Sequence, residues 1–187
     1  MSSYIIRPAR PDDWPVIVDY NCRLAAETEN LQLDRETVTH GVQALLADPT
    51  RGRYFLACTV SPAPGVLTPD DPEAENPKEA TPVEPGSPRE VIAGQLMHTT
   101  EWSDWRNGTI WWLQSVYVSD TYRRTGVFRA LYEHLHREAV AREDVVGLRL
   151  YVEHENSSAQ TTYASLGLQP AGYHVMEQLF TRPATAR

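Results

Sequence analysis

The segment that most constrains this chain is Tyr122-Arg123-Arg124-Thr125-Gly126-Val127-Phe128-Arg129, together with its flanks. Before it, residues 110–118 form an apolar run that reads as a strand. After it, Ala130-Leu131-Tyr132-Glu133-His134-Leu135 has helical spacing. A strand that turns through an Arg/Gly loop into a helix is suited to gripping a pyrophosphate. The helix start presents N–H groups without intrahelical partners and the positive end of the macrodipole. Gly126 lets the backbone approach a phosphate closely, and Arg123 and Arg124 add charge. The same pattern also serves as a plain turn with solvated arginines, so the loop needs support from elsewhere in the chain.

With 187 residues the chain is long enough for one well-cored domain, expected to span residues 1–187. No apolar run approaches the roughly 20 residues that cross a bilayer. Residues 1–7 lack a signal-peptide layout and enter a strand almost at once, so a cytoplasmic location is expected. The net charge of −8 argues against a nucleic-acid binder. Cys22 and Cys58 offer neither a disulfide framework nor metal-ligand spacing, and the histidines are scattered, so no metal site is expected.

The charge is uneven. Between Ser61 and Glu90 lie seven acids against Lys78 and Arg89, which supplies −5 of the −8. The same stretch holds eight of the 14 prolines and few large apolar residues. It cannot bury enough surface to offset its ordering entropy, and reads as a flexible surface loop over about 61–90, inserted in one domain.

Around this loop the elements follow in readable order. Residues 4–7 read as a strand, and a helix follows with Asp12 as a candidate N-cap and Ile17, Tyr20, Leu24 and Ala25 facing inward. Asp34 caps a second helix carrying Val38, Val42, Leu45 and Leu46. Strands are expected at 53–60 and 91–100, with Gly94 marking a bulge or a close contact. Asn107-Gly108 signals a hairpin turn into the strand at 110–118. A helix to about residue 142, a strand at 146–152, a helix at 157–166 and a last strand at 172–180 complete the chain. The sum is a mixed α/β domain with a mostly antiparallel central sheet flanked by helices.

Two motifs in this order resemble the GNAT superfamily of acyl-CoA-dependent N-acyltransferases. Val116-Tyr117-Val118 followed by Arg123-Arg124-Thr125-Gly126-Val127-Phe128 is similar to the family's pyrophosphate loop, Gln/Arg-x-x-Gly-x-Gly/Ala. Asn156-Ser157-Ser158-Ala159 through Tyr163 to Gly167-Leu168 is similar to its Asn-x-x-Ala-x-x-x-Tyr-x-x-x-Gly-Phe. The likeness spans nearly the whole chain outside the Pro-rich loop. Weaker features resemble the spermidine/spermine and thialysine acetyltransferase branch: Ile6-Arg7-Pro8-Ala9, Leu24 to Glu29, and a hairpin tipped by Glu101-Trp102-Ser103-Asp104-Trp105. Two positions depart from the pattern. Phe128 replaces the loop's last small residue, and Gln114 and Ser115 stand where the polyamine enzymes carry an acidic pair, which argues against a polyamine.

The resemblance implies a fold with splayed central strands, a homodimer, and direct attack of a neutral amine on acetyl-CoA in a ternary complex. It implies that Val116, Tyr117 and Val118 pair with the pantetheine arm of coenzyme A and offer a backbone N–H to the thioester carbonyl. Arg123, Arg124, Thr125, Gly126, Val127 and Phe128 would hold the pyrophosphate. Tyr163 would protonate the leaving thiolate, its ordinary pKa of about 10 lying close to that of an alkyl thiol. Asn156 would bond the pantetheine arm or cap the helix carrying Tyr163. For the small-molecule amine, Glu27, Glu29, Glu101, Trp102, Trp112 and Gln114 are candidates; Trp111 and Trp112 alternate, so one faces the core. No base is singled out: Glu27, Glu29, Glu101 and Glu153 are each more often solvated surface acids. Two alternatives stay open, a protein or peptide N-acetyltransferase and a CoA-binding module without turnover.

Overall fold

The computed structural model describes residues 4–61 and 89–180. The chain divides into two compact units, Met1–Tyr151 and Val152–Arg187. The first carries five strands, β1 (Ile5–Pro8), β2 (Arg53–Ser61), β3 (Arg89–Ser103), β4 (Gly108–Val118) and β5 (Val145–Leu150). Its helices are α1 (Trp14–Glu29), α2 (Arg35–Ala47) and α3 (Val127–Val140). The strands form one sheet in the order β1-β2-β3-β4-β5. The first three joints are antiparallel and β4–β5 is parallel, with α3 as the crossover. The Pro-rich loop falls at 62–88, outside the described residues. Its expected ends do not: Ser61 closes β2 opposite Arg89, and Glu90 pairs with Val60.

Helices cover both faces of the sheet, which explains why β2 and β3 read as continuous apolar runs. Ile17 and Val18 of α1 and Val42 of α2 pack on Tyr54, Leu56, Cys58 and Met97. On the other face Phe55 stands beside His98 and the α3 residue His134, and His98 stacks on Trp111. Leu131 and Leu135 of α3 are fully buried there. Each such side chain contributes roughly 1.5–3 kcal/mol of transfer free energy. Trp111 and Trp112 do lie on opposite faces, and Asn107 takes the left-handed conformation of the hairpin turn. Gly94 is a close contact: a Cβ there would sit 2.8 Å from the Tyr117 carbonyl oxygen and 2.9 Å from Val127 Cγ1. This close approach lets the start of α3 lie against the sheet.

Two local expectations meet different outcomes. Asp34 caps α2 as expected, its Oδ1 accepting from the Thr37 N–H at 2.8 Å. Asp12 does not cap α1. Asp13 holds the cap position, yet its carboxylate makes no cap bond and accepts instead from Arg7 (2.7 Å) and the Arg10 N–H (2.6 Å). A charge-assisted, two-pronged bond to arginine outweighs one peptide N–H. Arg7 also reaches Glu90 at 2.6 Å, tying β1, the start of α1 and β3 together.

The second unit carries α4 (Ser157–Ser165). The expected strand at 172–180 is not formed: the segment has no regular structure, and Tyr173, Val175, Met176, Leu179 and Phe180 are exposed. Alternation of apolar residues supplies only the propensity. A strand also needs a hydrogen-bonded neighbour, and no described strand pairs with this one.

Candidate active site

The Arg/Gly loop joins β4 to α3 as its sequence suggests. A single turn at Asp120–Tyr122 leads into Arg124, with φ +64°, and Gly126, with φ +93°. Gly126 is the N-cap of α3, its carbonyl accepting from the Ala130 N–H at 3.0 Å. The N–H groups just after Gly126 therefore have no intrahelical acceptor. Among the described residues a Cβ built on Gly126 would meet nothing within 4 Å, and Arg124 and Arg129 are exposed beside the helix start. Thr125 braces the loop, its hydroxyl donating to the Tyr122 carbonyl and meeting Tyr4 Oη, both at 2.6 Å. Phe128 is half-buried, its ring 6.2 Å from that of Tyr132 one turn on.

Arg123 is engaged differently. Its guanidinium pairs with Glu27 at the end of α1 and with Asp120 at 2.6 Å. It also donates to the Val118 carbonyl at 3.2 Å and lies 5.7 Å from the Tyr117 ring centre. Tyr117 Oη donates to Glu27 at 2.8 Å. Burial works to raise the Glu27 pKa, but the bonds from Tyr117 and Arg123 outweigh it and hold the carboxyl below its ordinary range. Burial and this carboxylate push the Tyr117 phenol up.

The strand before the loop is bulged. Tyr117 pairs with Gln95 and Gln114 with Met97, so Ser115 and Val116 together face Leu96 alone. Ser115 takes φ +48°, a left-handed conformation costing a non-glycine residue about 1 kcal/mol. The ladder to β5 ends at Leu113 and Leu150. Beyond it, residues 114–118 have no strand neighbour on the β5 side among the described residues. A parted sheet with a free backbone edge can take up an extended, amide-bearing ligand as an added strand.

One face of the sheet gathers three expected acceptor residues. Trp112 Nε1 donates to Glu101, and Arg149 of β5 donates to both Glu101 oxygens at 3.2 Å. The Trp112 ring centre has the Arg149 guanidinium 5.2 Å away and the Tyr151 ring 4.4 Å away. Gln114 Nε2 donates to Thr99 Oγ1 at 2.8 Å. Glu27 is drawn to the Arg/Gly loop instead, while Glu29 and Trp102 are exposed. Sequence reasoning missed Arg149. It also missed a buried network beneath the bulge, in which Gln95 Nε2 donates to Asn21 Oδ1 (2.7 Å) and to the Ser115 carbonyl (3.2 Å). The available signal was a lone amide inside the apolar run 91–97.

In the second unit Asn156 caps α4, its Oδ1 accepting from the Ala159 N–H at 3.0 Å. Capping, one of the two expected roles, is therefore realised. Tyr163 stands two turns along α4, and burial pushes its phenol up. It keeps its proton at neutral pH, as a general acid must. Among the described residues no group of His, Cys, Asp or Glu could hold a metal ion, and no helix is long and apolar enough to cross a membrane.

A family model described as acetyltransferase (GNAT) family matches residues 61–168. No protein of curated function matches the sequence. Among solved structures the chain is similar to "a possible acetyltransferase from Clostridium difficile 630", with 36% identity, 96% of this chain and 99% of that one covered, and a TM-score of 0.73. It is also similar to a "predicted acetyltransferase with acetyl-CoA" from Clostridium acetobutylicum, at 15% identity, 94% and 96% coverage and TM-score 0.64. An aminoglycoside acetyltransferase from an uncultured soil metagenomic sample follows at 17% identity, 95% and 99% coverage and TM-score 0.60. These last two likenesses speak to the fold alone. The matched family and the 36% identity over nearly the full length make this chain a member of the GNAT acetyltransferase family, and with it an acyltransferase.

Proposed function

We propose that residues 1–187 form one N-acetyltransferase domain that moves an acetyl group from acetyl-CoA to the primary amine of a small molecule. The observation that carries this reading is the start of α3: Gly126 is the N-cap in a left-handed conformation and, among the described residues, nothing stands where its Cβ would be. That cradle fits a pyrophosphate. The N–H groups of Val127 and Phe128 would hold it, with Arg124 adding charge. When bound, acetyl-CoA supplies the acetyl group as an activated thioester. Val116–Val118 present a free backbone edge that aligns the amide-bearing arm and gives an N–H to the carbonyl oxygen. Tyr163 Oη holds a proton for the leaving sulfur, and the proton shed by the acceptor nitrogen passes to solvent.

For the acceptor we favour a small monoamine or amino-acid-like amine over a polyamine. Gln114 and Ser115 bring no negative charge to the bulge, and Glu101 is already neutralised by Arg149. Thiol release measured against a panel of amines, peptides and polyamines tests this. Turnover on one class of small monoamine is expected, with preference for a polyamine or a peptide contradicting the acceptor assignment. Tyr163→Phe should lose most turnover while retaining CoA binding; unchanged turnover removes the acid role.

A further inference from the structure

We infer that Gln95, with Asn21 and Tyr54, is a positioning group for acyl transfer: it holds the bulge at Ser115 and so fixes where the following backbone of β4 points. This rests on the acetyl-transfer reading above. Ser115 is the one residue of β4 in a left-handed conformation, and nothing in its own side chain favours that state as glycine would. Something outside the strand has to hold it. Gln95 does so from β3, its amide nitrogen donating to the Ser115 carbonyl at 3.2 Å. The same nitrogen donates to Asn21 Oδ1 on α1 at 2.7 Å, and Asn21 Nδ2 donates to Tyr54 Oη of β2 at 2.9 Å. Side chains from β3, α1 and β2 are thus linked in one chain of hydrogen bonds that ends on the carbonyl of one strained residue.

Packing alone does not account for this arrangement. Gln95 is fully buried, and its Oε1 has no hydrogen-bond partner among the described residues. A leucine of similar volume would fill the space without that penalty. The amide nitrogen is spent on the bulge, and the bulge sits where β4 parts from β5, directly before Val116–Val118. A shift there would move the N–H meant for the thioester carbonyl while leaving the pyrophosphate cradle at Gly126 untouched.

The test compares full-length wild type with Gln95→Leu, Tyr54→Phe, Ser115→Gly and Gln95→Leu/Ser115→Gly. Gln95→Leu should lower kcat on the order of 10²-fold, as a misplaced reacting geometry does, with the Kd for coenzyme A within about 3-fold of wild type. Tyr54→Phe, a milder change that keeps the ring, should lower kcat about 5-fold in the same pattern. Glycine takes the left-handed conformation unaided, so the double variant should recover to within about 10-fold of wild type. Hydrogen exchange of a peptide covering residues 113–118, read without any substrate, should be faster in Gln95→Leu and slowed again in the double variant. Wild-type kcat in a folded Gln95→Leu protein, no recovery in the double variant, or unchanged exchange at 113–118 overturns the inference. A wild-type protein inert toward every amine contradicts the acetyl-transfer reading instead, and the exchange arm then decides alone whether the network holds the bulge.

Discussion

Lowering the pH from 7.5 to 5 should cost this fold about 2 kcal/mol through a single buried histidine. His98 is 4% exposed, stacked 4.2 Å from the Trp111 ring centre and 6.0 Å from that of Phe55. Neither ring nitrogen has a hydrogen-bond partner among the described residues that a charged imidazole would need. Burial, helped by Arg53 and Arg142 and only partly opposed by the Thr99 peptide, holds its pKa down to about 4 against an ordinary 6.5. The folded value is depressed, so the unfolded chain binds the proton first and stability rises with pH across this window. The contribution is complete above the unfolded pKa and is lost progressively as pH falls from 6.5 toward 4. The full span corresponds to about 3 kcal/mol, of which about 2 kcal/mol is gone by pH 5. Carboxylates held below their ordinary range, Asp13, Glu27 and Glu90 among them, titrate from unfolded values of 4.5 and under, so they add little above pH 5. Urea unfolding at pH 7.5 and pH 5 measures the loss, and His98→Phe, which keeps a ring between Phe55 and Trp111, should lose about 2 kcal/mol less than wild type over the same interval. Parallel pH profiles for the two proteins would refute the assignment.

Other consequences follow from the cradle and its supports. Gly126→Ala should weaken acetyl-CoA binding at least about 10-fold, because the added methyl enters the space above the helix start and the left-handed φ disfavours alanine; calorimetric titration measures this, and unchanged affinity would place the pyrophosphate elsewhere. Gly94→Ala should cost about 1–3 kcal/mol through overpacking against the Tyr117 carbonyl and Val127, which for a chain of this length lowers Tm by several degrees. Glu27→Gln should tighten acetyl-CoA binding about 3-fold by freeing Arg123, the modest figure reflecting a pair that is nearly half exposed. That gain should shrink between 50 and 200 mM salt. Weaker binding in Glu27→Gln would mean that the carboxylate aims Arg123 at the phosphate rather than restraining it.

What could be read in the sequence is what depends on neighbours along the chain. Asp34 before its helix, Asn107 in its turn, Trp111 and Trp112 on opposite faces, and the glycine opening α3 all follow from spacing and local backbone preference. What could not be read depends on partners far apart in sequence. Glu27 and Arg123 are 96 positions apart, and Asn21 and Gln95 are 74 apart. Only the folded sheet brings these pairs together, which is why Glu27 reads as a free acid for an amine and turns out to face the loop. That Asp13 stands at the start of α1 without capping it is the same effect at short range, since Arg7 on the neighbouring strand holds its carboxylate. The expected strand at 172–180 shows the converse, a locally favourable pattern without a described partner to pair with.

In the proposed function the loop 123–128 and the free edge of β4 hold acetyl-CoA. The most direct measurement is thermal unfolding of the full-length protein with and without acetyl-CoA, alongside Gly126→Ala. At about 100 times Kd, binding to the native state alone adds roughly 2.7 kcal/mol, a rise in Tm of several degrees. That rise is expected for wild type, with a much smaller one for Gly126→Ala at the same concentration. No shift in wild type at millimolar acetyl-CoA, or an equal shift in both proteins, would contradict it.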